Sequence, residues 1–164
     1  FQIGDYIAVG TDLQGTVKKI GLKTTRIDSL QGEEIVIANR DLTNARIHNF
    51  KKMAKRRIVN IIGVTYNTKQ NHLKQIPKII KEIFAKTKMA DCDRMHFKEF
   101  GPFSLNFELV YFVKTNDYKK YMDIQQKINL GIKETFDKKG IEFAYPTQTL
   151  FLENLAEPKK RSLT

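Results

Sequence analysis

The chain has no tryptophan, a single cysteine (Cys92) and only four prolines. A lone thiol excludes a disulfide framework within the chain and suits a reducing compartment. Long hydrophobic runs are missing as well. The longest apolar stretch, IVNIIGV at 58–64, is far short of the ~18 residues that a membrane-spanning helix needs. Gln2, Gly4 and Asp5 interrupt the start, so no secretory signal is legible there. Neither GxxxxGK[ST] nor GxGxxG occurs, which removes the common phosphate cradles. Histidine is scarce, with His48, His72 and His96 alone. Cys92 and His96 stand close, flanked by Asp91 and Asp93, yet a closed metal site needs more nitrogen or sulfur ligands. A Cys92–His96 nucleophile pair would lack an orienting third group. The carboxylates are scattered, mostly beside lysines, and read as solvated faces more than acid–base pairs. The expectation is a protein that is not an enzyme and takes no cofactor and no metal.

What the chain does have is positive charge. Its net charge is +11 over 164 residues, and the excess is unevenly placed. Residues 1–50 carry six basic and six acidic groups, whereas residues 51–164 hold 23 basic and 12 acidic ones. That asymmetry argues for two units in different surroundings, the second of which should attract anions.

The first fifty residues read as short strands: DYIAV, GTVKKI, TTRID, EEIVIA and ARIHNF, each rich in β-branched or aromatic residues. SLQG at 29–32 suits a hairpin turn in which Gly32 takes a positive φ. Gly15 and Gly21 fall where a strongly bent strand of a small barrel needs relief. The stretch KKMAKRR at 51–57 is a basic junction. It reads as a solvated linker, because no aromatic is interleaved for base stacking.

Beyond the junction the period changes. RIVNIIGVTY (57–66) is apolar on both faces and predicts a central strand. Residues 69–88 place Leu73, Ile76, Ile80, Ile83 and Thr87 at helical spacing, with Pro77 predicting either a kink or an irregular first turn. DRMHFKEF (93–100) alternates as a strand, and FSLNFELVYFV (103–113) puts Phe103, Leu105, Phe107, Leu109, Tyr111 and Val113 on one face. Residues 116–140 form the clearest helix, with Tyr118, Tyr121, Gln125, Ile128, Ile132 and Phe136 as its stripe, Asn116 as its start cap and Gly140 as its end cap. IEFAYP (141–146) closes with a strand. The order β-α-β-β-α-β from 58 to 146 is the split βαβ, or ferredoxin-like, pattern of a four-stranded antiparallel sheet with two helices on one face. A short strand is expected at 147–153 and a flexible tail at 154–164.

A ferredoxin-like sheet with basic charge also fits an RNA-recognition domain, which stacks bases on exposed sheet aromatics. FELVYFV at 107–113 has the aromatics but lacks the glycines and leading basic residue of that signature, and core packing is the simpler account of Phe107 and Tyr111.

Taken together, the segments resemble a specific family. FQIGDYIAVG followed by GTVKKIGLKTTRIDSLQGEEIVIANRDL is similar to the part of small-conductance mechanosensitive channels, the MscS family, that follows the pore-lining helix. That family reads F-x-x-G-D-x-[IV], G-x-V-x-x-I, T-T-x-[IL] and G-x-x-[IV]-x-I-P-N. The matching residues are Phe1, Gly4, Asp5 and Ile7; Gly15, Val17 and Ile20; Thr24, Thr25 and Ile27; and Gly32, Ile35, Ile37 and Asn39. RRIVNIIGVTYNT and KKGIEFAYPTQTL resemble the first strand and the closing segment of the family's α/β domain, so the resemblance covers about residues 1–153. It departs at Ala38 and Ala144, where the family has proline, and at Arg40, where it has a small residue.

The resemblance implies an α+β chain: a small Sm-like β barrel at 1–50, a basic junction at 51–57, a ferredoxin-like domain at 58–146 and a short C-terminal strand. It implies that Phe1 is a cut edge behind missing transmembrane helices. The expected setting is the cytoplasmic face of the bacterial inner membrane, and the fragment itself is expected to be soluble. Its expected role is the vestibule of a tension-gated channel, a homo-oligomeric ring usually of seven subunits that passes ions and small osmolytes under hypo-osmotic shock. The corner at Asn39 and Arg40 would face the foot of the pore helix. Lys51, Lys52, Lys55, Arg56 and Arg57 are candidate vestibule charges that would favour anions. The competing reading is a soluble RNA-binding protein that uses the same basic stretch.

Overall fold

The structure is a computed structural model that describes residues 1–148. It holds two antiparallel sheets and three helices, each sheet with its own hydrophobic cluster. The first sheet is built from β1 (Tyr6–Val9), β2 (Leu13–Ile20), β3 (Thr24–Ser29), β4 (Glu34–Ala38) and β5 (Ile47–Asn49) in the order β4-β3-β2-β1-β5. The five expected strands are therefore present. A six-residue helix, α1 (Asn39–Asn44), interrupts the expected run between the last two. Its sequence, NRDLTN, is too short and polar to show a helical period, but it places Leu42 in the core with Ile7, Val9, Val17 and Ile27.

Two glycines explain the strand geometry. Gly15 lies where a Cβ would sit 2.6 Å from Ile27 Cγ2 and against the Asp28 carbonyl, so only glycine lets β2 and β3 approach there. Gly32 has φ +97° in the β3–β4 turn, in which the Ser29 N–H donates to the Glu33 carbonyl.

The second sheet contains β6 (Arg56–Val64), β7 (Ala90–Phe100) and β8 (Leu105–Val113) in the order β6-β8-β7. Helices α2 (Gln70–Ala85) and α3 (Tyr118–Lys139) cover one face, where Ile76, Ile80, Ile128, Ile132 and Phe136 meet Phe107, Leu109 and Tyr111. The period-two face of β8 is as expected from Leu105 to Val113, but Phe103 lies before the strand and is exposed.

Three expectations change. Among the named strands β8 is central, and the first strand of the unit, β6, is flanked on its other side only by the bridge at Phe143. The four-stranded sheet is three strands plus one bridge, because residues 141–146 pair with β6 only at Phe143 opposite Val64. The bonds there run from Thr65 N–H to the Glu142 carbonyl and from Ala144 N–H to the Gly63 carbonyl. Continuing that register puts Pro146 opposite Ile61 at a hydrogen-bonded position, and proline has no N–H to give. The ladder stops there; Val59 and Ile61 are half exposed because they lie on the sheet face that no helix covers. Third, Asp117 rather than Asn116 caps α3: its carboxylate accepts the Lys120 N–H at 3.2 Å. Gly140 ends the helix in the left-handed region at φ 65°, as expected. Helix α2 runs unbroken through Pro77. Of the expected strand at 147–153, residues 147 and 148 carry no regular structure, and the rest of it, with the tail at 154–164, lies outside the described residues.

Candidate functional site

Asn39 stands where β4 gives way to α1, and its side chain turns away from the helix it begins. Its Oδ1 accepts the Thr25 hydroxyl at 2.8 Å, and its Nδ2 donates to the carbonyls of Gly21 (2.8 Å) and Leu22 (3.2 Å). Its backbone N–H donates to the Lys23 carbonyl. One amide thus clamps the whole β2–β3 turn, a job that aspartate, without donors, cannot do. Arg40 is the opposite case. Its side chain is 85% exposed, and among the described residues it pairs only with the adjacent Asp41, at 3.5 Å. A groove of about 520 Å³, lined by Phe1, Ile20, Asn39, Leu42 and Ile47 among others, joins this corner to the start of the chain.

The junction residues do not form one cluster. Lys52 and Lys55 are exposed. Arg56 and Arg57 are neighbours on β6 and so face opposite sides of the sheet. Arg57 is exposed on the bare face. Arg56 turns toward α3, where its guanidinium lies 4.9 Å from the ring centre of Tyr121 and 5.7 Å from that of Tyr118. Lys51 reaches back across the molecule: its ammonium donates to the Gly4 carbonyl at 3.0 Å and lies 3.8 Å from Asp5 Oδ1.

Asp5 is the residue that sequence reasoning passed over. It is a carboxylate with 1% exposure. Its Oδ2 accepts Asn49 Nδ2 at 2.7 Å and the Gln2 N–H at 3.0 Å. The Asn49 hydrogen bond holds its carboxyl below the ordinary value, against the opposing effect of burial, and Gln2, Lys51 and Lys52 add to the lowering. The available signals were its place in the F-x-x-G-D pattern and an acid directly after Gly4 among apolar residues, and neither gave it a role. Nothing marked Asn49, 44 positions away, as its partner.

Other candidates separate. Cys92 pairs with Tyr111 on the core side of β7, while His96 pairs with Glu108 on the outer face, so the two do not meet. Desolvation raises the Cys92 thiol above its usual value, which disfavours the nucleophilic thiolate. Phe107 and Tyr111 are buried beneath the helices and present no ring to a base. Burial pushes the Tyr111 phenol up to about 12.

Two family models match the chain in tandem: "Mechanosensitive ion channel, beta-domain" over residues 1–52 and "Mechanosensitive ion channel MscS, C-terminal" over residues 58–143. The chain belongs to the MscS family of mechanosensitive ion channels. It is 39% identical over 158 residues to the large-conductance mechanosensitive channel MscMJLR of Methanocaldococcus jannaschii, covering 93% of this chain and 44% of that protein. It is 27% identical to the low conductance mechanosensitive channel YnaI of Escherichia coli, covering 98% of this chain and 48% of that one. The chain thus spans under half the length of these relatives. Among solved structures, Helicobacter pylori MscS in its closed state superposes with a TM-score of 0.78 at 25% identity, covering 94% of this chain and 60% of that chain. Arabidopsis thaliana MSL1 A320V has a TM-score of 0.79 at 18% identity over 89% of this chain and 56% of that chain, a likeness of fold alone. Nothing in these comparisons supports an RNA-binding reading. Among the described residues no helix is long and apolar enough to cross a membrane.

Proposed function

We propose that this MscS-family chain is the cytoplasmic vestibule of a tension-gated channel subunit, anchored by helices that precede Phe1 and lying on the cytoplasmic face of the membrane, the inner membrane in a bacterium. Residues 1–50 act as an Sm-like unit whose copies pack side by side in a ring, with seven the expected number. Residues 58–146 act as a ferredoxin-like unit that walls a chamber for ions and small osmolytes. The observation that carries this reading is the tandem match, β-domain then C-terminal domain, across the point where the charge balance changes. A first unit with no net charge and two strand edges, β4 and β5, suits packing against its own copies, because ring closure covers edges. The Asn39–Arg40 corner, rigid at one residue and exposed at the next, is the contact point for the upstream helix. Lys52, Lys55 and Arg57 supply the chamber's positive potential, while Arg56, stacked on tyrosines, is structural. The test uses membrane patches containing the complete parent protein. Suction opens a current whose reversal potential in asymmetric KCl favours chloride. A parent without tension-activated current overturns the channel reading, and a cation preference overturns the charge assignment.

A further inference from the structure

Lys51 is bonded on both sides of the junction through different atoms. Its ammonium holds the N-terminal turn at Gly4 (3.0 Å) and Asp5 (3.8 Å). Its carbonyl accepts Asn116 Nδ2 at 2.8 Å, just ahead of the Asp117 cap of α3. Its N–H, with that of Lys52, donates to Asn49 Oδ1 at 3.1 and 3.2 Å, and the other end of that same amide holds Asp5. These partners lie 47 and 65 positions from Lys51 in sequence, so the arrangement is a product of the fold. The Asp5 side chain, only 2% exposed, is fixed by Asn49 and Gln2 and cannot swing out to meet a moving lysine. Any displacement of the turn at 1–5 therefore pulls on Lys51, and Lys51 pulls on the head of α3.

We propose that Lys51 is a positioning residue, a two-sided latch that couples the N-terminal turn to the start of α3. The coupling is a property of this chain and stands independently of the channel reading. The Lys51 side chain is 49% exposed, and an ion pair that open to water adds little to stability. The latch is thus separable from a merely structural role, because its loss changes communication and leaves the melting temperature nearly unchanged.

The test is amide hydrogen exchange, residue by residue, on the whole chain carrying Lys51→Met, Asn116→Ala or both. Lys51→Met leaves the carbonyl in place and removes only the grip on Gly4 and Asp5. It should nonetheless speed exchange at the Lys120 and Tyr121 amides. Asn116→Ala should reciprocally speed exchange at the Gly4 and Asp5 amides, each effect about twofold, since a coupling free energy acts equally in both directions and an exposed contact transmits no more than it is worth. The double variant should exchange no faster at these sites than the single ones, because both cuts break the same chain of contacts. The latch is overturned if each variant affects only its own side. It is equally overturned if exchange rises uniformly, core amides such as Leu109 and Ile128 included, since that is lost stability and not coupling.

Discussion

Ala38 occupies the place where the family pattern has proline, and its backbone is already set for one at φ −66° and ψ 136°. It pairs with Thr24, and the ladder bond beside it runs from the Asn39 N–H to the Lys23 carbonyl. In that register the Ala38 N–H points off the outer edge of β4, so proline removes no bond. Ala38→Pro should raise stability by about 0.4–1 kcal/mol, through lost freedom in the unfolded chain, as read by thermal melting. Asp5 makes a second prediction. Its folded-state carboxyl is held below the ordinary 3.8. The unfolded chain therefore binds more protons in the window below that value, and stability falls as pH drops through it. Asn49→Ala removes the largest cause of the lowering. An acid titration followed by circular dichroism should then show the variant unfolding at higher pH than the parent. The family pattern marks both positions but not these roles, because a φ angle and a partner 44 residues away leave no local pattern.

Among elements, those with a clear local pattern were legible, the short strands β1 and β5 included, and those without one or dependent on distant pairing were not. Helix α3, 22 residues long, showed a stripe from Tyr118 to Phe136 and a glycine stop, both visible in the chain. Its start was legible only to within one residue, since Asn116 and Asp117 are both good caps. The fold decides between them by engaging Asn116 with the Lys51 carbonyl. Asp117→Ala should cost about 1 kcal/mol in urea unfolding, the usual penalty for losing a cap. The misplacement of β6 has a related cause. Its apolar character on both faces suited a central strand, but whether a neighbour pairs along its full length depends on residues 141–146, and Pro146 ends that pairing early. Helix α1 was missed because six polar-rich residues carry no measurable period.

At the scale of the molecule, charge is the feature that sequence reports most faithfully and places least well. The neutral first unit and the basic remainder are plain in composition. The seven-residue junction, read as a solvated linker carrying candidate vestibule charges, disperses in three directions: toward Asp5, toward the rings of α3 and toward solvent. If the exposed cations give the chamber its anion bias, that bias should fade with ionic strength, because the Debye length falls from about 10 Å at 0.1 M salt to about 3 Å at 1 M. Reversal potentials of the complete parent protein, recorded at a fixed KCl gradient while total salt is raised, check this. A bias unchanged at high salt would point to a narrow pore and away from the chamber wall.

Periodicity, turn residues and charge by themselves indicated most of the strands, the two long helices and a change in charge balance near residue 50. These properties depend on neighbours within a few residues along the chain. The tertiary structure alone decided that β8 is central, that Arg56 faces inward while Arg57 does not, and that Asp5, Asn49, Lys51 and Asn116 share one set of bonds. Each of those depends on residues brought together from distant parts of the chain, and their pairing is settled only when the packed layers fix which groups can reach one another.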